Sequence, residues 1–170
     1  MGLEGPFPFD PKRHAVSEFD CGSPAQTDWL RRIARTAEGA GTARAYVIAE
    51  AGTNRVVGYH AVAASVVRPE EAPASLLKGA GRSPVPAILL ARLGVDIAAQ
   101  GLGLGAALVK DAMLRAHQAA RTIGARALLI HAESPTARDF YLHLAEFDES
   151  PTDPLHLVLL MSTIEEILGA

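Results

Sequence analysis

The chain has 170 residues and a mass of 17.9 kDa; 49% of it is hydrophobic, 21% is charged, and the net charge is −3. That is enough chain to enclose one hydrophobic core, so a single domain over residues 1–170 is expected, with an irregular lead-in over 1–14. The lone cysteine, Cys21, excludes an internal disulfide, and no run approaches the roughly 20 apolar residues that span a bilayer, so a soluble, cytoplasmic chain off the membrane is expected.

After the proline-rich start, Ser23 reads as a helix N-cap, with Pro24 at the first helical position and Gln26 where a capping box wants it. Trp29, Leu30 and Ile33 then recur at helical spacing beside Arg31, Arg32 and Arg35, which predicts an amphipathic helix. Two strand-forming runs separated by Gly52-Thr53-Asn54 predict an antiparallel hairpin. From Arg68 to Pro84 the chain is rich in Pro, Gly and Ala, the composition of a loop or of a short helix around Ala72 to Leu77.

Ala87 to Val95 reads as a buried strand, followed directly by the glycine-rich stretch Gln100 to Leu108. From Ala106 a helix is predicted, with Val109, Met113, Ala116, Ala120 and Ile123 on one face and Lys110, Asp111, Arg115 and Arg121 on the other. Ala127 to Ala132 is a second buried strand, Ser134-Pro135 starts a helix through Phe140 and Tyr141, and Leu155 to Met161 is a last strand. This order implies an α/β (α+β) fold with helices flanking a mixed, partly antiparallel sheet.

Charge is unevenly spread. Trp29 to Arg126 holds thirteen Lys and Arg against six Asp and Glu, whereas residues 121–170 hold three against eight. A nucleic-acid partner stays open on that basis, as does an ordinary solvated surface.

Three alternating glycines between a strand and a helix allow close backbone approach, and the first helical turn aims N–H groups at whatever lies there. The helix dipole favours an anion at that end, so a phosphate or pyrophosphate fits. Gly101, Gly103 and Ala106 also satisfy the relaxed dinucleotide pattern G-x-G-x-x-G/A, with Glu133 as a candidate ribose-binding acid. That fingerprint belongs in an opening βαβ unit, however, and here a helix and an antiparallel hairpin come first. No Gly-Lys-Ser/Thr follows for a P-loop, and no Cys/His cluster has metal-ligand spacing, so no metal is expected.

Gln100, Gly103 and Gly105 match the Q/R-x-x-G-x-G/A signature, and the chain resembles the GCN5-related N-acetyltransferases over about Ala15 to Met161. The resemblance implies a mostly antiparallel sheet with a splayed parallel strand pair, and acetyl-CoA as cosubstrate. It places the pyrophosphate on Gln100, Gly101, Leu102, Gly103, Leu104, Gly105 and Ala106, and the pantetheine arm along Leu93, Gly94 and Val95. The strings FDCG, DWLRRIA, VPAILLARLGVD and SPTDPLHLVLLM narrow it to the acetyltransferase toxins of type II toxin–antitoxin modules. That subgroup acetylates the α-amine of aminoacyl-tRNA, blocks translation, forms homodimers and is restrained by a ribbon-helix-helix antitoxin. Two departures stand out: Ala145 and Glu146 replace a usual glycine after Phe140-Tyr141, which implies an altered turn, and Gln100 stands where many members carry Arg.

The same resemblance makes Tyr141 the acid that protonates the coenzyme A sulfur, with the Val95 N–H polarising the thioester oxygen. An α-amine with pKa about 7.7–8.0 is roughly 10–20% neutral at pH 7, against well under 1% for lysine, so it needs little base catalysis. Water or the Asp96 region is left to take the released proton. His131 is expected to be a satisfied core histidine, and His60, His117, His143 and His156 structural or surface groups. No RNA-recognition module is present, so tRNA binding would rest on phosphate contacts from Arg31, Arg32, Arg35, Arg44, Lys78, Arg82 and Arg92. The remaining alternatives are acetylation of a protein N-terminus, a lysine or a small amine, and a non-catalytic acyl-CoA-binding subunit.

Overall fold

A computed structural model of the chain describes residues 2–169. In chain order its elements are β1 (Leu3–Pro8), α1 (Pro24–Asp28), a π-helical turn (Trp29–Ile33), α2 (Ala34–Ala40), β2 (Arg44–Glu50) and β3 (Val56–Val67). They continue with α3 (Ala74–Leu77), β4 (Val85–Val95), a 3-10 turn (Ile97–Ala99), α4 (Leu104–Ile123), β5 (Ala127–His131), α5 (Pro135–Leu144), β6 (Asp148–Glu149), β7 (His156–Leu160) and α6 (Met161–Leu168). Among the described residues the strands form a seven-stranded sheet in the order β1-β2-β3-β4-β5-β7-β6. β1–β2, β2–β3, β5–β7 and β6–β7 pair antiparallel, and β4–β5 is a parallel pair. The mixed sheet expected from the element order forms, and it is mostly antiparallel, as the resemblance implied.

The chain divides into two compact units, Met1–Ala63 with Ala91–Ala112, and Ala64–Leu90 with Met113–Ala170. In the first, Phe9, Phe19, Trp29, Leu30, Val47 and Tyr59 form the core. Trp29 stacks on Tyr59 with ring centres 5.9 Å apart, Phe19 meets the same ring edge-on at 5.6 Å, and the Tyr59 hydroxyl donates to Gln26 O at 2.6 Å. Each such aromatic pair adds about 1 kcal/mol beyond area burial, so Tyr59 ties the first helical stretch to the sheet.

In the second unit, Leu76, Val85, Ala87, Leu129 and Val158 are buried together. The parallel register runs from Ala87↔Ala127 to Leu90↔Ile130; β5 ends at His131, while β4 runs on to Val95. Arg126 braces the segment after α3, donating from Nε to Leu76 O at 3.0 Å and from Nη2 to Lys78 O.

Four features depart from the sequence-based expectation. Residues 3–8 are not irregular but form an edge strand whose register includes Leu3↔Glu50 and Pro8↔Tyr46. An edge position tolerates Pro6 and Pro8, whose missing N–H groups would break a central ladder. The first helix contains the π turn, in which the Ala34 N–H reaches Trp29 O. A short β6 forms, and the chain turns at Leu160 directly into α6, which ends at Gly169 with φ 72°.

Candidate active site

The strand that leads into the glycines is anchored by its apolar side chains. Leu93, Val95 and Leu104 pack on Ile48, Val57, Ala99 and Leu108, so these three expected cofactor residues turn their side chains to the core. Gly94 is required for space: a Cβ there would lie 3.0 Å from Cys21 Sγ and 3.2 Å from Tyr59 Cε1.

Beyond Val95 the buried Asp96 caps the 3-10 turn, its Oδ1 accepting from Ala98 N at 2.9 Å. Its Oδ2 accepts from Asp20 N at 3.1 Å. With both oxygens engaged by backbone donors, Asp96 brackets the chain from Asp20 to Ala98. The Gln100 side-chain amide donates to Val95 O at 3.0 Å and Cys21 O at 3.2 Å.

Gly101 and Gly103 have φ of +84° and +81°, a left-handed backbone that L side chains rarely adopt. Nothing lies within 4 Å of a Cβ built at either, so both open onto free space. Ala107 N donates to Gly103 O at 3.2 Å, which leaves the N–H groups of Leu104 to Ala106 in the turn that lacks intrahelical acceptors. α4 then runs for 20 residues, and its dipole puts about half a positive charge at this end. The first turn carries no acidic side chain to oppose an anion. An open cradle of glycine backbone ahead of a long helix suits a pyrophosphate and needs no cationic side chain.

In the second unit, α5 starts where expected: Ser134 Oγ accepts from Ala137 N at 3.1 Å, with Pro135 following. Tyr141 is buried on this helix, 5.3 Å from the Phe140 ring and 6.5 Å from the Phe147 ring. Burial first, and the Glu133 carboxylate second, push its phenol up to about 12, so it keeps its proton across the neutral range. Ala145 leaves the helix in an extended conformation at φ −160°, which any residue adopts. The loss of the usual glycine therefore carries no backbone strain.

The candidate RNA-binding cations divide by environment. Arg31, Arg32 and Arg35 are exposed on the helical stretch whose inner side is Trp29, Leu30, Ala34 and Ala37. Arg44 is engaged instead, donating to Glu38 O at 3.0 Å and lying 3.3 Å from Glu38 Oε2. Arg92 is partly buried on β4, and in the second unit Lys78 and Arg82 are exposed around the loop after α3. Of the histidines, His60 lies 2.8 Å from Asp111, His117 lies 3.4 Å from Glu165, and His131 stacks on His156 at 3.9 Å. Among the described residues no group of three or more His, Cys, Asp or Glu stands together as metal ligands, and no helix is long and apolar enough to cross a membrane. The Asp20 and Cys21 contacts with Asp96 and Gln100 were missed from sequence, since no local pattern links positions 76 and 79 residues apart.

No protein-family model matches the chain. A tRNA-acetylating toxin of Mycobacterium tuberculosis is 44% identical over 154 residues, 91% of this chain and 90% of that protein. A probable toxin TacT of Sinorhizobium fredii is 27% identical over 169 residues, 95% and 93% of the two chains. Among solved structures, a tyrosine-to-phenylalanine mutant of KacT superposes with a TM-score of 0.87 at 24% identity, covering 98% of each chain. AtaT complexed with acetyl-methionyl-tRNAfMet superposes with a TM-score of 0.85 at 25% identity, again covering 98% of each.

Proposed function

The chain belongs to the tRNA-acetylating toxins of the GCN5-related N-acetyltransferase superfamily, and on that premise we propose that it transfers an acetyl group from acetyl-CoA to the α-amine of an aminoacyl-tRNA. The 44% identity with a tRNA-acetylating toxin over 91% of the chain is the observation that carries this reading. Acetylation removes the nucleophilic lone pair that peptide-bond formation uses, so the product stalls translation. A small DNA-binding antitoxin and a second copy of the chain are the protein partners that accompany the reading, and the cytoplasm, where charged tRNA is used, is the location it requires.

Acetyl-CoA supplies an acetyl group already activated as a thioester. The N–H groups of Gly101 to Ala106, with the α4 dipole behind them, would hold its pyrophosphate. The backbone of Leu93 to Val95 would align the pantetheine arm, and the Val95 N–H would polarise the thioester oxygen. The Leu93 and Val95 side chains, partly buried against Ile48, Val57 and Leu108, anchor that strand end.

Tyr141 holds a proton at Oη. A simple thiol ionises near 8.5, so a phenol pushed up to about 12 is the weaker acid by roughly three units. Its proton therefore passes to sulfur only as another replaces it, and the amine nitrogen, which becomes strongly acidic on acylation, is the source. Tyr141 then acts as a relay, which removes the need for a separate strong base and suits a substrate α-amine already roughly 10–20% neutral at pH 7.

Arg31, Arg32 and Arg35 are the cations best placed for tRNA phosphates, since all three are exposed on one helical stretch while Arg44 is occupied by Glu38. The test of the function is incubation of the protein with labelled acetyl-CoA and a mixed pool of charged tRNA. The expected result is label recovered as N-acetyl-aminoacyl groups after mild base. Transfer to protein N-termini or lysines with none to aminoacyl-tRNA would overturn the assigned substrate.

A further inference from the structure

Gln100 opens the signature that places acetyl-CoA, yet its side chain faces the protein. Nε2 carries two hydrogens, and two carbonyls take them, Val95 O at 3.0 Å and Cys21 O at 3.2 Å. The other end of the amide is an acceptor, the wrong polarity for a phosphate. Both neighbours being carbonyl oxygens also fixes which way the amide points.

What Gln100 holds is specific. The peptide between Val95 and Asp96 is gripped at both ends, its oxygen by Gln100 and its N–H by Val57 O at 2.8 Å. The same amide reaches Cys21, and the segment from Asp20 to Gly22 is tied to this strand end by further bonds. Asp20 N donates to Asp96 Oδ2 at 3.1 Å, and Ile97 N donates to Asp20 O at 2.8 Å. Gly22 N turns back onto Asp20 Oδ1 at 2.9 Å, and the Cys21 side chain occupies the space that a Cβ at Gly94 would take.

We propose that Gln100 is a positioning residue: its amide locks the Val95–Asp96 peptide and clasps Asp20–Gly22 against it, which anchors Val95 on its C-terminal side and so limits how far the preceding Gly94–Val95 peptide, the one that carries the Val95 N–H, can turn, and its side chain does not bind phosphate. The proposal rests on the reading of Gln100 to Ala106 as the acetyl-CoA loop and Val95 as the thioester donor. It assigns the first residue of the signature to catalysis through the backbone, and the glycines after it to the pyrophosphate. It also explains why a neutral Gln serves where Arg is common, since each offers the paired N–H donors that two carbonyls require.

The test separates kcat from cofactor affinity. Gln100→Met keeps the length of the side chain and removes both donors; the expected result is a fall in kcat of about tenfold or more, the scale of a misplaced reacting group. Acetyl-CoA Kd by calorimetry is expected to stay within about threefold, and Gln100→Arg to recover most of the lost kcat. Asp96→Asn, which opposes an amide N–H to Asp20 N, is expected to reproduce the kcat loss with Kd retained. A Gln100→Met protein whose Kd weakens about tenfold while kcat is kept would make Gln100 a phosphate ligand and overturn the proposal. Unchanged kcat and Kd in that variant would overturn it equally. Failure of the underlying reading looks different: the wild-type protein would then show no acetyl-CoA binding in the same calorimeter.

Discussion

His60 Nε2 lies 2.8 Å from Asp111 Oδ2, with the histidine side chain fully buried and only 9% of the aspartate side chain exposed. The contact joins the middle of β3 to the second turn of α4, and the Tyr46 ring covers His60 at 5.1 Å. Removing one member takes away a buried hydrogen bond between two polar groups. Asp111→Ala is therefore expected to cost about 3 kcal/mol, or roughly 6–12 °C in Tm for a chain of this size. Chemical denaturation of the two proteins measures it, and a difference under about 0.5 kcal/mol would show the pair to be energetically idle.

Gly103→Glu is expected to abolish acetyl-CoA binding. It forces a side chain onto a backbone at φ +81° and sets a carboxylate in the space proposed for the pyrophosphate. Calorimetry reads the outcome, and normal binding by a folded variant would remove the loop from the cofactor site.

Tyr141→Phe keeps the ring that packs beside Phe147 and removes only the hydroxyl. Turnover is expected to drop by about a hundredfold with acetyl-CoA Kd nearly unchanged. With the phenol pushed up to about 12, the wild-type rate should rise through the α-amine pKa near 7.7–8.0 and stay flat to about pH 10. An alkaline limb centred near 9 would mean that Tyr141 is far more acidic than its burial and Glu133 dictate.

Acid should destabilise the fold through two histidines. His131 is lowered by burial and by the His156 ring stacked on it, with Asp153 and Glu71 opposing. His14 is lowered by burial and by Arg13, and its Nδ1 accepts from Asp10 N at 2.9 Å, which requires the neutral ring. A base whose folded pKa lies below its unfolded value binds more protons when unfolded, so stability rises with pH there. Both contributions are present above about pH 6.5 and are lost as pH falls below it. Denaturation at pH 7.5 and 5.5 checks this, and His131→Asn should reduce the difference while leaving the His14 share. Greater stability at pH 5.5 would reverse the sign and refute the assignment.

Replacing Arg31, Arg32 and Arg35 together by Glu should weaken tRNA binding most at low salt. Loss of three phosphate contacts lowers the slope of log K against log salt by roughly 2 to 3. An unchanged slope would move the RNA to another face.

The glycine loop was legible because three alternating glycines are rare except where the backbone must adopt positive φ, and Gly101 and Gly103 do so. The β2–β3 hairpin, β4, α4 and β5 were legible because long apolar patterns have a period. β1 was hidden by Pro6 and Pro8, which deny it the signature of a strand, and α6 by the unbroken apolar run from Leu157 to Met161 that offers no stop between strand and helix. The clasp around Gln100 was not legible. A residue type reveals what a side chain is able to donate, but its partners, Cys21 among them, are set only when distant segments meet.

The π turn at Trp29–Ile33 has a consequence for how this chain tolerates changes of length. A turn closed from Ala34 N to Trp29 O holds one residue more than an α turn, so α1 and α2 keep the faces of an unbroken helix one residue shorter. The surplus residue is absorbed as a bulge, which sets Arg31, Arg32 and Ile33 side by side on the outside while Trp29 and Leu30 stay in the core. Deleting one residue here should relax the bulge and leave the core in register, whereas the same deletion in α4 would rotate every later side chain by about 100°.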